Sequence, residues 1–270
     1  MTQSSTTSAA GSGGTQTLQR AAALLRLISA NNRLGMRLVD LYRALHLERP
    51  TAHRLLQGLA GEGLIRQDPR SKRYFLGPMV YEMGLAAAPK MPLRDICHSH
   101  LHMIAERTED TIFLTVRSGF DGLCVDRVEG AFPIKVFVLE VGRRRPLNVG
   151  GGSLAIMSAM TDAEIERICK VNRERLSAKY PRYSDTVLKE RIAQARHAGF
   201  ALNEVLEVPG VRSIGVPVRD AAQRPIAAIS VATLAERLEP DRAAWIAELM
   251  IDTVVEIESA VAASPSDVLN

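Results

Sequence analysis

Apolar residues recur at three- and four-residue steps through Leu18, Ala21, Ala22, Leu25 and Ile28, a spacing that predicts an amphipathic helix ending at Asn31-Asn32. Leu38, Leu41, Tyr42 and Leu45 predict a second helix. A third begins at Pro50, a residue suited to a first turn, and runs to Leu59 with Ala52, Leu55, Leu56 and Leu59 as its buried stripe. Gly61 and Gly63 break that period. Leu64-Ile65-Arg66 and Tyr74-Phe75-Leu76 then read as two strands joined by Asp68-Pro69-Arg70-Ser71-Lys72-Arg73. This order spells a winged helix-turn-helix. Its third helix leaves Arg49, Thr51, His53 and Arg54 outward at the N-terminal end, where a recognition helix offers side chains to base edges and phosphates. The hairpin is a wing whose tip carries Lys72 and Arg73.

Met79 to Ala88 reads as a linking helix, with Pro89 and Pro92 marking a boundary. Beyond it the pattern changes. A helix from Leu93 to Glu106 precedes strand-like runs at Ile112–Arg117, Leu123–Val128 and Ile134–Leu139, which suggest an antiparallel sheet. Helices follow over Ser153–Met160 and over Thr161–Cys169, the latter opened by the capping box Thr161-Asp162-Ala163-Glu164, and another over Thr186–His197 stops at Gly199. Val211–Val218 and Ile226–Ala232 are late strands around the turn Asp220-Ala221-Ala222-Gln223, and Asp241–Ala262 is a long closing helix. The fold class is therefore α+β. Residues 1–14, almost devoid of anything to bury, are expected to be a disordered tail. Then come a winged helix over 15–77, a linker helix over 78–92, and an α/β domain over 93–264.

Charge sharpens this division. The whole chain is only mildly basic, at +4 over 270 residues, but residues 1–90 hold 12 Lys and Arg against 5 Asp and Glu, while the remaining 180 hold 22 against 25. The positive field sits on the expected DNA module, where it would attract phosphates in a salt-dependent way. No apolar run approaches the ~18–20 residues of a membrane span, and the Ser/Thr/Gly-rich start lacks a signal pattern, so a cytoplasmic protein with no membrane partner is expected. The cysteines, Cys97, Cys124 and Cys169, are odd in number at no framework spacing and are expected to be reduced thiols.

Candidate chemistry centres on Asn148-Val149-Gly150-Gly151-Gly152-Ser153-Leu154-Ala155, a glycine run leading into a helix. Two readings stand side by side. Exposed backbone N–H groups and the positive helix end can hold a carboxylate, or the run is a tight turn with Ser153 as an ordinary N-cap. An enzyme with Ser153 as nucleophile is disfavoured, since a Gly-x-Ser-x-Gly elbow is incomplete and no triad histidine follows. Cys97, His98, His100 and His102 crowd one helix, but Cys97/His100 and His98/His102 point to different faces, so neither a metal nor another cofactor is expected. Arg143-Arg144-Arg145 fits a solvated turn or subunit contact better than an anion clamp. Trp245 falls at helical spacing with Leu238, Ile246, Leu249 and Val254 and reads as packing.

From Thr17 to Ala262 the chain resembles the IclR-type bacterial transcriptional regulators. The resemblance rests on Leu18-Gln19-Arg20-Ala21, Thr51-Ala52-His53-Arg54-Leu55-Leu56, Gly63-Leu64-Ile65 and Tyr74-Phe75-Leu76-Gly77. Downstream it rests on Gly142-Arg143-Arg144 before Pro146-Leu147, on Gly199-Phe200-Ala201, and on Pro209-Gly210-Val211-Arg212 with the following Pro217. It implies a C-terminal domain similar to the GAF fold that binds a small effector and helps form a homodimer or homotetramer, with a double-stranded DNA operator as partner. Carried over by motif, the effector pocket would set Gly151 and Gly152 against a carboxylate, with Asn203, Ser213 and Ser230 as polar walls; Gly150 and Ser153, which flank them in the glycine run, are candidate effector contacts beside them. Where many such proteins carry acids at and after the position of Asn203, this chain has Asn203-Glu204-Val205-Leu206, which implies a small, aromatic or branched organic acid. A repressor released by its ligand is the default expectation. A ligand-independent architectural DNA binder, its effector cavity filled by side chains, is the alternative.

Overall fold

A computed structural model describes residues 11–87 and 92–263, and the chain divides into two compact units between Pro89 and Lys90. The expected tail over 1–14 therefore lies mostly outside the described residues, as do Ala88 and Pro89. The first unit comprises α1 (Gly11–Ala30), α2 (Leu38–Ala44), α3 (Arg49–Gly61), β1 (Ile65–Gln67), β2 (Tyr74–Leu76) and α4 (Pro78–Ala87). Residues 11–14, expected in the tail, are already helical, because extending a nucleated helix gains one backbone bond per residue fixed. Leu18, expected in the buried stripe of α1, is 69% exposed; Leu24 and Ile28 are the fully buried residues of that helix.

Leu24 and Ile28 of α1, Leu41 of α2 and Leu56 and Leu59 of α3 form one core with Ile65 and Tyr74 of the wing. The wing is antiparallel, with Ile65 opposite Leu76, and Met36 adds a bridge to Tyr74 through bonds of 3.1 and 2.7 Å. At the base of the wing only glycine fits at position 77. A Cβ there would lie 2.0 Å from the Gly63 carbonyl oxygen. Its own N–H donates to the Leu64 carbonyl at 2.9 Å, closing the hairpin against the start of α4.

The second unit holds α5 (Pro92–Thr108), β3 (Thr111–Ser118), β4 (Asp121–Glu129), β5 (Arg144–Pro146), α6 (Gly151–Ser158), α7 (Asp162–Lys179), α8 (Asp185–Ala198), β6 (Ala201–Glu204), β7 (Val211–Arg219), β8 (Pro225–Leu234) and α9 (Pro240–Ala263). Its six strands are antiparallel in the order β5-β4-β3-β8-β7-β6. The period of two along the three central strands decides what each face does. Ile112 and Leu114, Ile214 and Val216, and Ile229 and Val231 pack into one core with Leu101 and Ile104 of α5 and Ile246 and Met250 of α9. Fully burying each such side chain stabilises by ~1.5–3 kcal/mol. The alternate positions face the other way, and apart from Phe113 they are smaller and more polar: Thr115, Ser213, Gly215, Ser230 and Ala232.

Helix ends follow local chemistry. The Thr161 hydroxyl accepts from the Glu164 N–H at 3.3 Å, and the Glu164 carboxylate from the Thr161 N–H at 3.4 Å, completing the expected capping box. Ser184 caps α8, and Gly199 ends it at φ 81°. The fold departs from the sequence pattern in three further places. The Ile134–Leu139 strand does not form; Pro133 removes a ladder donor, and Val136 and Val138 are drawn instead into a cluster with Phe113, Cys124 and Val205. The edge of β4 is taken by β5, unforeseen because three residues around Pro146 carry no period. Helix α7 continues past Cys169 to Lys179, since Asn172 and Leu176 extend its buried face.

Candidate functional site

On the first unit, α3 starts after Glu48, which sits at the N-cap with extended backbone (φ −65°, ψ 139°). Ala52, Leu56 and Leu59 are buried and Leu55 half-buried, so Arg49, His53 and Arg54 emerge exposed on the opposite side, with Thr51 half-buried between. Among the described residues, no ion pair engages Arg49 or Arg54. They are cations held on one helix, and no carboxylate among the described residues pairs with them.

The wing tip is built by Asp68, whose Oδ1 accepts from the Ser71 N–H at 2.6 Å and from the Ser71 hydroxyl at 2.7 Å. The side-chain bond from Ser71, then its backbone bond, hold the Asp68 carboxyl below the usual range. Lys72 takes the left-handed conformation (φ 56°) and is exposed, as is Arg70. Arg73 differs. Its Nη1 donates to the carbonyls of Gly35 at 2.8 Å and Leu34 at 3.4 Å, tying the wing to the turn after α1. Sequence order alone puts Arg73 at the tip; only the fold shows its guanidinium turned inward.

On the second unit, the polar face of the sheet and the first turn of α6 enclose a cavity lined by Phe113, Thr115, Gly122, Val138, Leu139, Arg145, Val149, Val205, Ser213, Ser230, Ala232 and the run Gly150-Gly151-Gly152-Ser153. Its free volume is about 30 Å³. Gly150, not Ser153, is the N-cap of α6, at φ 95° and ψ 158°, a conformation that favours glycine. The N–H groups of Gly151, Gly152 and Ser153 in the first helical turn lack intrahelical acceptors. Gly151 and Gly152 also let the helix sit on the sheet: a Cβ at 151 would lie 2.3 Å from the Ser213 hydroxyl, and one at 152 would lie 2.9 Å from that of Thr115. Thr115, Ser153 and Ser230 are 3%, 4% and 6% exposed.

Of the expected polar walls, Ser213 and Ser230 line the cavity. Asn203 does not. It lies behind Ser213, donating to its hydroxyl at 3.4 Å while accepting from Arg191 at 3.0 Å. Val205 lines the cavity, whereas Leu206 faces a neighbouring crevice with Tyr183 and Arg191. Arg145 is the residue that sequence reasoning set aside. The β5 register places it opposite Gly122, a cavity residue, and its Nη2 donates to the Val138 carbonyl while its Nε is buried with no hydrogen-bond partner. Three successive arginines gave no sign of which one turns inward; the two-residue alternation of a strand at 144–146 would have.

The remaining candidates are otherwise engaged. His98 Nδ1 lies 2.7 Å from Asp126, His100 Nδ1 lies 2.9 Å from the Ile96 carbonyl, and Cys97 is fully buried. No group of three or more His, Cys, Asp or Glu among the described residues is placed to hold a metal ion. Burial pushes the Cys97 and Cys124 thiols up to about 12, with Asp126 adding to the shift of Cys97. Trp245 is 36% exposed, between the guanidinium groups of Arg107 and Arg242. No helix among the described residues is long and apolar enough to cross a membrane.

Comparison with known proteins finds relatives of both units. Residues 17–69 match the IclR helix-turn-helix domain, and residues 85–259 match the C-terminal domain of the bacterial transcriptional regulator IclR. The chain is similar to the HTH-type transcriptional regulator XynR of Escherichia coli, 26% identical over 83% of this chain and 88% of that protein. It is similar to the HTH-type transcriptional repressor AllR of Salmonella typhimurium, 24% identical over 93% and 92%. Among solved structures, an IclR-type regulator from Alicyclobacillus acidocaldarius shares the fold with a TM-score of 0.75 at 20% identity, covering 90% of this chain and 98% of that one. An IclR homologue from Microbacterium hydrocarbonoxydans, solved with 4-hydroxybenzoate, gives 0.70 at 21% identity over 92% and 100%.

Proposed function

Because this chain belongs to the IclR family of bacterial transcriptional regulators, with a helix-turn-helix DNA-binding domain, we propose that it is a repressor whose operator affinity is set by a small organic acid in the α6 cavity. Arg49, Thr51, His53 and Arg54 read the operator, and Lys72, joined by Arg70, contacts phosphate from the wing. Arg73 positions the wing and does not itself reach DNA. A homodimer binds two half-sites of a pseudo-palindrome, since one small winged helix supplies limited specificity. The protein acts in the cytoplasm, where its operator lies.

The observation that carries the ligand half is the pocket of buried hydroxyls and helix-end amides around Gly150. A donor-rich, water-poor site at the positive end of a helix favours an anion over a neutral or cationic ligand. About 30 Å³ holds roughly two waters, so the pocket as it stands admits an acid of a few heavy atoms. An aromatic or branched acid requires the Val138–Leu139 wall to move. Ligand and operator then affect one another reciprocally, by linkage.

The test is binding of the purified protein to the intergenic DNA upstream of its own gene against random duplex, across salt, with and without a panel of carboxylic acids. One acid that lowers specific affinity supports the reading. Salt-sensitive binding with neither sequence preference nor acid response refutes it and favours a ligand-independent architectural role.

A further inference from the structure

We propose that Arg145 is the charge partner of the effector's acid group, and that it takes up this partner by releasing the Val138 carbonyl, so that the loop over 130–143 senses occupancy. The inference rests on the cavity being the effector site.

Arg145 enters the cavity wall from β5, the short edge strand. Its Nη2 donates to the Val138 carbonyl, and its Nε is buried without a partner. These two nitrogens share one edge of the guanidinium plane, the edge that accepts a carboxylate as a two-bonded fork. The Nε half of that edge is therefore unfilled, while Nη2 is engaged by a main-chain oxygen. Leaving a buried N–H of a charged group unpaired is unfavourable, so an incoming carboxylate gains both bonds at the cost of one.

Among the described residues, no carboxylate competes for Arg145. Arg144 pairs with Asp121 and Arg117 with Glu164, but no Asp or Glu among the described residues lies within ion-pair distance of Arg145. The surroundings are cationic. Lys179 is held below its usual range by burial first, and then by Arg143, Arg145 and Arg175.

Val138 and Leu139 line the cavity that Arg145 lines, in a segment without regular structure whose Phe137 is half exposed. Displacing Val138 from Arg145 loosens that wall and enlarges the site. Selection for the acid group and movement of the wall thus fall on one side chain.

The experiment uses the full chain and titrates acetate, pyruvate and benzoate against acetamide, pyruvamide and benzamide by calorimetry, with hydrogen exchange at residues 134–141. In the wild type, one acid binds at least tenfold more tightly than its amide and speeds exchange of that segment. Arg145→Gln weakens the acid at least thirtyfold and brings acid and amide to parity; Arg145→Lys, which keeps the charge without the fork, falls between and serves if the first variant does not fold. Acid binding to Arg145→Gln within threefold of wild type overturns the proposal, and acid binding without faster exchange overturns the coupling. Ala232→Leu, which fills the cavity, separates the two levels. If it abolishes binding while Arg145→Gln does not, the cavity stands and the role of Arg145 falls. If it leaves binding intact, or no probe binds the wild type, both fall.

Discussion

Replacing Arg54 by alanine tests the proposed DNA surface. Arg54 is exposed on α3 and no ion pair within the described residues engages it. Its removal leaves neither a cavity nor a stranded partner, so folding stability should change by no more than ~0.5 kcal/mol. The effect on DNA depends on what the guanidinium touches. A fork to a base edge is worth ~1–3 kcal/mol, which weakens the operator complex by roughly 5- to 150-fold while random duplex is little affected. A phosphate contact instead weakens both complexes together and lowers the slope of log K against log salt by about 0.9. Fluorescence anisotropy with labelled operator and scrambled duplexes at four salt concentrations separates these cases, and the first is expected. Operator affinity and salt slope both equal to wild type, in a variant with unchanged melting, would show that α3 does not read DNA with this face.

Three other perturbations follow from the packing. Gly77→Ala sets a Cβ 2.0 Å from the Gly63 carbonyl oxygen and is expected to unfold the wing and abolish operator binding while ligand binding by the second unit persists; retained operator affinity would show that the hairpin base can shift. Asp110, 4% exposed, accepts from Thr233 at 2.6 Å, Arg237 at 3.2 Å and Arg242 at 3.0 Å, so Asp110→Ala takes the buried carboxylate from both arginines, leaving them the Thr108 carbonyl, and should cost ~3–5 kcal/mol in urea unfolding; a loss under ~1 kcal/mol would mean that solvent and the remaining contacts replace the carboxylate. Cys97 and Cys124 should resist iodoacetamide at pH 8 in the native protein and react once it unfolds. Because burial raises both thiols from 9.0 to about 12, their stabilising effect is full below pH 9 and is lost as pH rises towards 12, at ~1.4 kcal/mol per pH unit for each; a flat stability profile across that window would contradict the burial.

The architecture was legible wherever periodicity was strong. Helical spacing at Leu41, Ala52, Leu56 and Leu59 fixes the faces of α2 and α3, and with them the outward side of Arg49, His53 and Arg54, because a helix ties orientation to sequence separation. The capping box at Thr161 and the stop at Gly199 are equally local. The glycine run marks the cavity for a similar reason, since close helix-to-sheet approach and positive φ at Gly150 demand that residue type.

Tertiary structure decided the rest. Ile134–Leu139 has the composition of a strand, but which segment pairs with the edge of β4 is a competition between distant pieces of chain, and β5 wins it. The inward turn of Arg145, the anchoring of Arg73 and the retreat of Asn203 behind Ser213 depend on partners 7, 38 and 10 residues away in sequence. Sequence alone determined the helices and the long central strands and which of their faces are apolar, through interactions within a turn or two of chain. Only the packed fold determined which polar side chains meet in the cavity, because that depends on strand order and register, which no local pattern encodes.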